Sequence, residues 1–373
     1  MKALKRFICR IRPIKKNKIV FFTMNYKYGC NPKYICEEII RRQLPYELVW
    51  INDNSNNDIQ GPPQVRTVIS KKRNKEFATC RLLICNYRMN YFSKFRKKPG
   101  QTYIQTWHGS YGIKKCEGDS LDTLSPEWIE MAKIDSANID YLLSASRWDA
   151  ETLARSFFCP PEVIHVTGMP RNDVFFSDMD RLATKVKSFY QLKPDTKIAL
   201  YAPTFRNACN SLEPYQLDYN RLVEELAAKF GGNWVVMLRL HPHMEYMFDQ
   251  LPAGSATLVN ATTYPDMQEL LCASDLLISD YSSCMFDFAL TRRPVLIYAT
   301  DIDEYNTERG FLYPLEATPF PIATNNDALA ENIRNFDIPS YHTKVDDFFK
   351  EKDSRDDGHA AERIVDYIES LMK

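Results

Sequence analysis

A regular alternation of short apolar runs with amphipathic segments constrains the fold of this chain more than any other feature of its sequence. The apolar runs have the length and composition of buried strands, and they include KIVFFTM, YELVWIND, CRLLICN, IDYLLSAS, KIALYAP, WVVMLRL, DLLISD and PVLIYAT. Helical patterns such as PKYICEEIIRRQL and LDYNRLVEELAAKF lie between them. Strands that alternate with helices in this way predict a parallel α/β architecture.

The chain is long enough for two such units. Its 373 residues exceed the size of one average domain, and a hinge-like segment, TGMPRNDVFFSDMD, separates two α/β halves. We therefore predict two Rossmann-like domains, residues 1–178 and 179–373, that face each other across a cleft. Ligands are expected in that cleft, where the strands end at their carboxyl edges. The last helix, in GHAAERIVDYIESLM, is amphipathic, and whether it packs back on the first domain stays open.

The formal net charge of zero hides a strong asymmetry along the chain. Residues 1–100 contain 23 Lys and Arg against 6 Asp and Glu, and the remaining residues contain 25 against 42. The basic residues near the N-terminus are interleaved with Leu4, Phe7, Ile8 and Ile11. This pattern favours an anionic membrane surface. Nucleic acid is not indicated, because no zinc-finger, RNA-binding or basic-zipper pattern accompanies the charge. A solvated basic tail stays the alternative.

Other patterns are missing from the sequence. No apolar run approaches the roughly 18 residues that a membrane-spanning helix needs, and the N-terminal apolar pieces are too short for a signal peptide. The ten cysteines include no Cys-x-x-Cys pair, so neither a zinc site nor a redox dithiol is indicated. We expect a protein that lies on the cytoplasmic face of a membrane, peripheral and monotopic, without a transmembrane segment.

The stretch QTYIQTWHGSYGIKKCEGD carries the first candidate for chemistry. Tyr103, Ile104 and Trp107 predict a short strand, and His108-Gly109 follows where that strand should emerge into a loop. Catalytic groups of open α/β sheets lie at such strand ends. A capped loop with a surface histidine is the alternative.

The stretch DLLISDYSSCMFDFA in the second half is a sharper signal. A buried strand, 276–278, is followed by a turn that contains Ser282 and Ser283, and a helix begins at once. Such a turn directs backbone N–H groups and two hydroxyls at one point, which suits a phosphate. The alternative is that one of the serines is only a helix N-cap. Asp287, one turn later, is placed to meet a ligand hydroxyl or the helix dipole.

Further cationic and hydroxyl side chains follow other predicted strands and the hinge. They are Arg171, Thr204, Arg206, Arg239, His241 and His243. His241 and His243 could instead form a metal pair, but no carboxylate or cysteine ligand lies nearby in the sequence. Together these strand ends predict an anion-binding cleft without a metal.

The motifs WHGSYGIKK, TGMPRNDVFF, LYAPTFRN, LRLHPH, DLLISDYSSCMFDFAL, EYNTERGFLYP and DGHAAERI occur in this order. With these motifs in this order the chain resembles the CDP-glycerol glycerophosphotransferase family, the primases and polymerases of teichoic acids and related capsule polymers. The resemblance is specific from about residue 100 to residue 366. It implies a GT-B fold and transfer of glycerol phosphate from CDP-glycerol to a hydroxyl of a lipid-linked acceptor, such as an undecaprenyl-linked glycan, with release of CMP.

The resemblance also implies roles for individual residues. It makes His108 and His241 catalytic, with His108 as the general base. The residues implied to bind CDP-glycerol are His108, Gly109, Ser110, Tyr111, Gly112, Arg171, Thr204, Arg206, Arg239, Leu240, His241, Ser282, Ser283 and Asp287. Ser110-Tyr111 departs from the Thr-Pro that many members have after His-Gly, which affects the expected donor-tail or acceptor specificity.

Three alternatives remain at this stage. CDP-ribitol or another CDP-polyol could replace CDP-glycerol on the same fold, or the chain could be a GT-B glycosyltransferase that uses a nucleotide sugar. A non-catalytic lipid-surface binder is the alternative from another class. No cofactor is required by the predicted chemistry, although Mg²⁺ could be carried by the phosphates of the donor.

Overall fold

The computed structural model of the protein describes residues 11–24, 26–53, 61–92, 95–206, 217–240, 244, 248 and 257–373. These residues divide into two compact units. The first contains the described residues up to His108 together with Cys116–Asp173 and Asp353–Lys373. The second contains Gly109–Lys115 and the described residues of Val174–Lys352.

The strands are short and mostly buried. In the described chain they are β1 (Lys18–Phe22), β2 (Glu47–Asn52), β3 (Val65–Ile69), β4 (Leu82–Cys85), β5 (Thr102–Gln105), β6 (Tyr141–Ser144), β7 (Ile164–Val166), β8 (Lys197–Tyr201), β9 (Trp234–Leu238), β10 (Leu258–Asn260), β11 (Leu276–Ser279), β12 (Val295–Tyr298) and β13 (Ile322–Ala323).

Helices connect most of these strands. In the same residues they are α1 (Cys30–Arg41), α2 (Arg73–Thr79), α3 (Met89–Phe92), α4 (Pro126–Ser136), α5 (Arg147–Ser156), α6 (Met179–Phe189), α7 (Tyr219–Phe230), α8 (Met267–Ala273), α9 (Cys284–Ala289), α10 (Ile302–Arg309), α11 (Asn326–Arg334), α12 (Ile338–Glu351) and α13 (Ala360–Met372).

The first unit is built on a parallel sheet with the strand order β3-β2-β1-β4-β5-β6-β7. Residues alternate between its two faces: Val20 and Phe22 belong to one apolar cluster, whereas Ile19 and Phe21 belong to another. Both faces are therefore covered, as parallel sheets require. The strand order reverses between β1 and β4, so the carboxyl ends of these two strands form the expected ligand-binding crevice of this sheet.

The second unit contains a parallel sheet with the order β10-β9-β8-β11-β12-β13. Its central strands β8 and β11 pair in register over Ala199–Tyr201 and Leu276–Ile278. The strand order reverses between these two strands. The residues that follow β8 and β11 are therefore the second place where a ligand is expected.

The C-terminal helix α13 lies in the first unit and packs on α1. Ile364 and Ile368 are fully buried in the same apolar cluster as Ile35. The helix has no side-chain cap of its own. Instead, the carboxylate of Asp173 accepts hydrogen bonds from the backbone N–H groups of residues 360 and 361, at 3.0 and 2.7 Å. These bonds satisfy two of the donors that a helix N-terminus leaves open.

The elements differ from the sequence expectation in places. The predicted strand before His108 ends at Gln105, and Trp107 lies outside it with a φ of 52°. The prediction that included Trp107 in the strand was therefore wrong. The edge strands β3, β7, β10 and β13 were not predicted, because they are short and half exposed. Within the residues described above, no helix has the length and apolar character required to cross a membrane.

Candidate active site

His108 lies beside the crevice of the first sheet. The chain leaves β5 at Gln105 and reaches His108 three residues later, next to the residue that follows β4. The Nδ1 atom of His108 is 2.8 Å from the main-chain carbonyl oxygen of Asn86. The side-chain oxygen of Asn86 accepts the backbone N–H of Met24, which follows β1, at 2.9 Å. Asn86 therefore joins the ends of β1 and β4 and holds the imidazole.

The contact with Asn86 determines which imidazole nitrogen can act as a base. A carbonyl oxygen only accepts hydrogen bonds, so Nδ1 of His108 carries the hydrogen in this contact. In the neutral ring the lone pair is then on Nε2. A backbone carbonyl that fixes the tautomer is a usual means of orienting a functional histidine. The arrangement presents Nε2 as the atom that can take a proton.

Asn31 and Arg171 hold the backbone around His108. Asn31 is fully buried, and its amide nitrogen donates to the carbonyl oxygens of Thr106 and Trp107, both at 3.2 Å. Its side-chain oxygen accepts the backbone N–H of Arg171 at 3.1 Å. The guanidinium of Arg171, which is 4% exposed, donates to the carbonyl oxygen of His108 at 2.5 Å. These contacts fix the position and direction of the chain at the candidate base.

The contacts of Arg171 lead to a prediction that separates two roles. If the chain releases CMP as the resemblance implies and Arg171 positions His108, the variant Arg171→Ala should lower kcat for this release by about 10-fold, because small displacements of a catalytic group are costly. Its affinity for CDP-glycerol should stay within about twofold of the unaltered protein, and Arg171→Lys should recover part of the loss. A large rise in the donor KM with an unchanged kcat would instead make Arg171 a ligand of the donor phosphates. Steady-state kinetics and donor titration measure both.

A buried charge cluster lies at the crevice of the second sheet. Arg206 follows β8, is 5% exposed, and donates to the carboxylates of Asp280 and Asp301 at 2.9 and 2.6 Å. Its guanidinium also lies over the rings of Tyr281 and Tyr305, at 4.9 and 4.7 Å from their centroids. Burial opposes the charged form, but the hydrogen bond with Asp301 and the charge of Asp280 outweigh it, so the pKa of Arg206 is raised. The strand ends of this sheet therefore contain carboxylates as well as cations.

Hydroxyl groups line the same two strand ends. The backbone N–H of Thr204 donates to the carboxylate of Asp280 at 2.8 Å, which fixes the chain after β8. Ser282 and Ser283 are half-buried at the turn between β11 and α9. The Oγ of Ser282 accepts the backbone N–H of Cys284 at 3.4 Å, while Ser283, the N-cap residue, makes no side-chain cap bond. The helix α9 has only 6 residues, so its dipole is small. An anion at this turn would be bound by the hydroxyl and backbone N–H groups.

The loop after His108 belongs to the second unit. Ser110 is 1% exposed, and its Oγ donates to Asp287 at 3.4 Å. Tyr111 packs against Phe286, Phe348 and Phe349, with ring centroids 5.5 to 6.1 Å apart. Tyr111 is therefore a core residue of the second unit.

Gly109 is half-buried in this loop. At Gly112, a Cβ would meet no atom within 4 Å among the described residues. Neither crowding by those residues nor a positive φ therefore calls for glycine at Gly112.

The predicted cationic cluster after β9 is only partly described. The guanidinium of Arg239 donates to the carbonyl oxygens of Ala261 and Tyr264 at 3.2 and 2.9 Å, and burial lowers its pKa. Leu240 is buried, and its backbone N–H donates to Thr262 at 3.1 Å. His241 and His243 lie outside the described residues. In the part of the chain that the structure describes, no three His, Cys, Asp or Glu side chains are grouped closely enough to hold a metal ion.

Four residues with a role in this geometry were not among the candidates from the sequence. They lie next to strands or helix ends and hold the candidate base and Arg206, and they are Asn31, Asn86, Asp280 and Asp301. Their partners are separated from them by 22 to 140 residues. A buried asparagine directly after an apolar strand, as in LLICNY, was the one local signal available.

Comparison with known proteins identifies the family. A family model described as CDP-Glycerol:Poly(glycerophosphate) glycerophosphotransferase matches residues 4–370. The chain belongs to this family. The family predicted from the ordered motifs is therefore confirmed.

Curated relatives in this glycerophosphotransferase family include polymerases and smaller transferases. The chain is 31% identical to a teichoic acid poly(glycerol phosphate) polymerase of Staphylococcus epidermidis, over 96% of this chain and 51% of the relative. It is 29% identical to the polymerase of the same name from Bacillus subtilis, over 95% of this chain and 49% of the relative. The chain thus spans about half the length of these two relatives. A teichoic acid ribitol-phosphate primase of Bacillus spizizenii is 30% identical over 79% of this chain and 76% of the relative.

Solved structures support the fold. A histidine-to-alanine variant of the wall teichoic acid polymerase TagF superimposes with a TM-score of 0.87 at 28% identity, covering all of this chain and 94% of that chain. A histidine-to-asparagine variant of TagF soaked with CDPG gives a TM-score of 0.84 at 29% identity, over 96% of this chain and 90% of that chain. With the two parallel sheets, these neighbours confirm an α/β, GT-B-like fold with two Rossmann-like domains.

Proposed function

We propose that the protein transfers glycerol phosphate from CDP-glycerol to a hydroxyl group of a lipid-linked glycan or polyol-phosphate acceptor, releasing CMP. The product would extend or prime a polymer of the teichoic acid or capsule type. The family supports this reaction, and the observation in the chain itself that carries the proposal is the imidazole of His108. Its Nδ1 is held by the carbonyl of Asn86, so that Nε2 is the basic atom.

In the proposed reaction the acceptor oxygen attacks the phosphorus that bears glycerol. The new bond joins the acceptor oxygen to this phosphorus, and the bond from phosphorus to the bridging oxygen breaks. CMP leaves with the electron pair of the broken bond, and the acceptor proton passes to Nε2 of His108. General-base catalysis of this kind contributes about 10²–10⁴ to a rate. Protonated His108 remains hydrogen-bonded to Asn86 through Nδ1, so the acceptor of that bond serves both states of the ring.

The second unit is proposed to hold the donor. Thr204, Ser282 and Ser283 bring small hydroxyl side chains to the adjoining carboxyl ends of β8 and β11, where backbone N–H groups and hydroxyls suit a pyrophosphate. Gly112, which has no requirement for glycine from the described atoms around it, would leave room for the donor. The remaining donor roles implied by the resemblance stay predictions. For Arg206 this role would require phosphate oxygens to compete with the two carboxylates that now bind it.

CDP-ribitol is the second candidate donor, because relatives of similar identity are named for ribitol phosphate. Glycerol and ribitol differ only in the length of the polyol chain beyond the phosphate. The reaction at phosphorus and the role of His108 would be the same for both. Residues that contact the far end of the polyol would decide between them.

Nucleotide release from a panel of donors tests the proposal. The purified chain would be incubated with CDP-glycerol, CDP-ribitol or a UDP-sugar and a disaccharide-lipid acceptor. CMP from CDP-glycerol is the expected result. CMP from CDP-ribitol alone would change the substrate but keep the mechanism, and UDP from the sugar nucleotide would overturn the proposed reaction. A donor titration without acceptor separates failure to bind the donor from an unsuitable acceptor.

Association with the cytoplasmic face of a membrane is also proposed. The basic segment that motivates it begins with residues 1–10, which lie outside the described residues, and continues through Arg12, Lys15 and Lys16. Cations at an anionic surface contribute roughly 1 kcal/mol each. Flotation with vesicles that contain anionic lipid measures this association, and equal binding to neutral vesicles would contradict the electrostatic explanation.

A further inference from the structure

A row of aromatic rings extends from His108 to exposed side chains of the first unit. The ring of Tyr87 lies 5.7 Å from the ring of His108 and 6.3 Å from that of Trp107. Tyr91 lies 5.7 Å from Tyr87, and Trp128 lies 5.6 Å from Tyr91, all measured between ring centroids. We call Tyr87, Tyr91 and Trp128 the aromatic row. It begins beside the candidate base and ends at the surface.

The aromatic row is partly exposed to solvent. Tyr91 is 59% exposed, and Tyr87 and Trp128 are half-buried. Exposing one aromatic ring is ordinary, but a series of neighbouring rings next to a catalytic group indicates a recognition surface. Tyrosine and tryptophan combine an apolar ring face with a polar atom. They therefore suit ligands that have both apolar and hydrated polar surface.

Polar contacts hold the segment that carries these rings. Arg88, between Tyr87 and α3, is fully buried and donates to Glu117 and, at 2.8 Å, to Ser136. The backbone N–H of Asn90 donates to the carboxylate of Asp135 at 3.0 Å. These contacts join α3, which carries Tyr91, to α4, which carries Trp128. The spacing of the rings is therefore set before any ligand binds, and this lowers the entropic cost of binding.

We propose that the aromatic row is a subsite for the sugar rings of the acceptor. This inference rests on the proposed function, which requires an acceptor hydroxyl within hydrogen-bond reach of Nε2 of His108. A pyranose has apolar C–H faces and hydroxyl edges, so its face can lie on an aromatic ring while a hydroxyl points sideways. A sugar placed on Tyr87 would bring such a hydroxyl toward His108, whose ring is the neighbouring one.

The chemistry of the row favours sugar over a poly(glycerol phosphate) chain. The face of an aromatic ring carries negative charge density, which repels phosphate groups. Glycerol phosphate also has no flat apolar face of its own. The row should therefore act on acceptors that end in a glycan and should contribute little when the acceptor ends in glycerol phosphate.

Two positions of the row that do not contact His108 in the described ring pairs, one exposed and one half-buried, test the subsite. The variants Tyr91→Ala and Trp128→Ala are compared with Phe189→Ala, which removes a 62% exposed ring in the second unit. CMP release is measured with saturating CDP-glycerol and two acceptors, a disaccharide-lipid and the same lipid carrying only glycerol phosphate. Stacking energies of aromatic rings predict a rise of about 3- to 10-fold in KM for the disaccharide-lipid. Tyr91→Phe should stay near the unaltered protein, because the ring is retained.

The outcomes separate the subsite from the proposed reaction. A KM change for the disaccharide-lipid alone, with donor affinity unchanged, supports the subsite. Equal changes for both acceptors would mean that the row binds the lipid chain, and no change for either would also overturn the inference. If the unaltered protein releases no CMP from either acceptor, the proposed reaction fails. Titration of the protein with the soluble disaccharide then decides the subsite, because loss of binding in Tyr91→Ala supports it and unchanged binding overturns it.

Discussion

Replacing His108 by alanine is expected to lower kcat for CMP release by about 10²–10⁴-fold, the usual contribution of a positioned general base. The affinity for CDP-glycerol should change little, because His108 is only one of many residues expected to contact the donor. The imidazole is half-buried and its hydrogen bond to Asn86 ends on a main-chain carbonyl, so the alanine variant leaves the backbone of Asn86 in place. The fold should therefore persist, as circular dichroism would verify.

A matched control is available at another histidine. The Nε2 atom of His342 donates a hydrogen bond to the main-chain carbonyl oxygen of Arg292 at 2.9 Å, and loss of this side chain should leave CMP release unchanged. Comparing the two alanine variants separates the effect of losing the imidazole at His108 from the effect of losing any histidine. Turnover retained in His108→Ala would remove His108 from the mechanism, even if the donor specificity proves to be as proposed.

Replacing Arg88 by methionine is expected to give the largest loss of stability among single variants of the first unit. Arg88 is fully buried, donates to Glu117, and lies 3.5 Å from the carboxylate of Asp135. Removing one partner of a buried ion pair typically costs 3–5 kcal/mol, because the remaining charge is buried without compensation. Here two carboxylates would be left. Urea unfolding, followed through a signal of the first unit, measures the change.

An exposed ion pair gives the control for Arg88. Arg147 pairs with Asp353 at 3.1 Å, and both side chains are more than 60% exposed. Its replacement by methionine should leave the unfolding midpoint almost unchanged, since exposed pairs contribute little. The double variant Arg88→Met with Asp135→Asn should recover part of the loss, because it removes one of the two stranded charges. A small effect of Arg88→Met would contradict the view that this ion pair fixes α3 on α4.

The stability loss of Arg88→Met should depend on pH in a defined direction. Burial raises the pKa of Asp135 from 3.8 to about 6 in the intact protein, so the folded state binds a proton more tightly than the unfolded state. This contribution to stability is fully present below about 3.8 and is lost as pH rises through about 6. Without the charge of Arg88 the folded-state pKa should rise further. The deficit of the variant should therefore be larger at pH 8 than at pH 5.

The central parts of both sheets could be predicted from the sequence, while their edges could not. Strands β1, β4, β8 and β11 are continuous apolar runs, because both faces of a parallel sheet are covered. β3, in contrast, has Arg66 and Thr67 exposed, and β13 has only 2 residues. Edge strands of this kind carry neither a continuous apolar run nor a long enough alternation to be recognised.

The sequence placed the candidate residues at strand ends, but it did not indicate which residues they contact. The position of His108 after a strand followed from the alternating pattern, yet Asn86 and Asn31 are neighbours only in the folded chain. Arg206 was expected to meet an anion, and the structure shows that it meets the carboxylates of Asp280 and Asp301, which lie 74 and 95 residues further along. The sequence shows that a charged residue lies at the end of a strand. It does not show which oppositely charged residue it pairs with, because that partner is distant in the sequence.

The path of the chain has a consequence for any attempt to dissect the protein. The chain changes unit after His108, Lys115, Asp173 and Lys352, so neither unit is a continuous segment. A fragment that stops near the middle of the sequence would lack the C-terminal residues whose buried Ile364 and Ile368 cover one face of the first sheet. It would also retain Gly109–Lys115 without the strand and helix residues they pack with. Each unit is formed by several separate segments of the chain, so neither can be removed or exchanged as one continuous piece. Insertions, tags and truncations should therefore leave all of these segments in place.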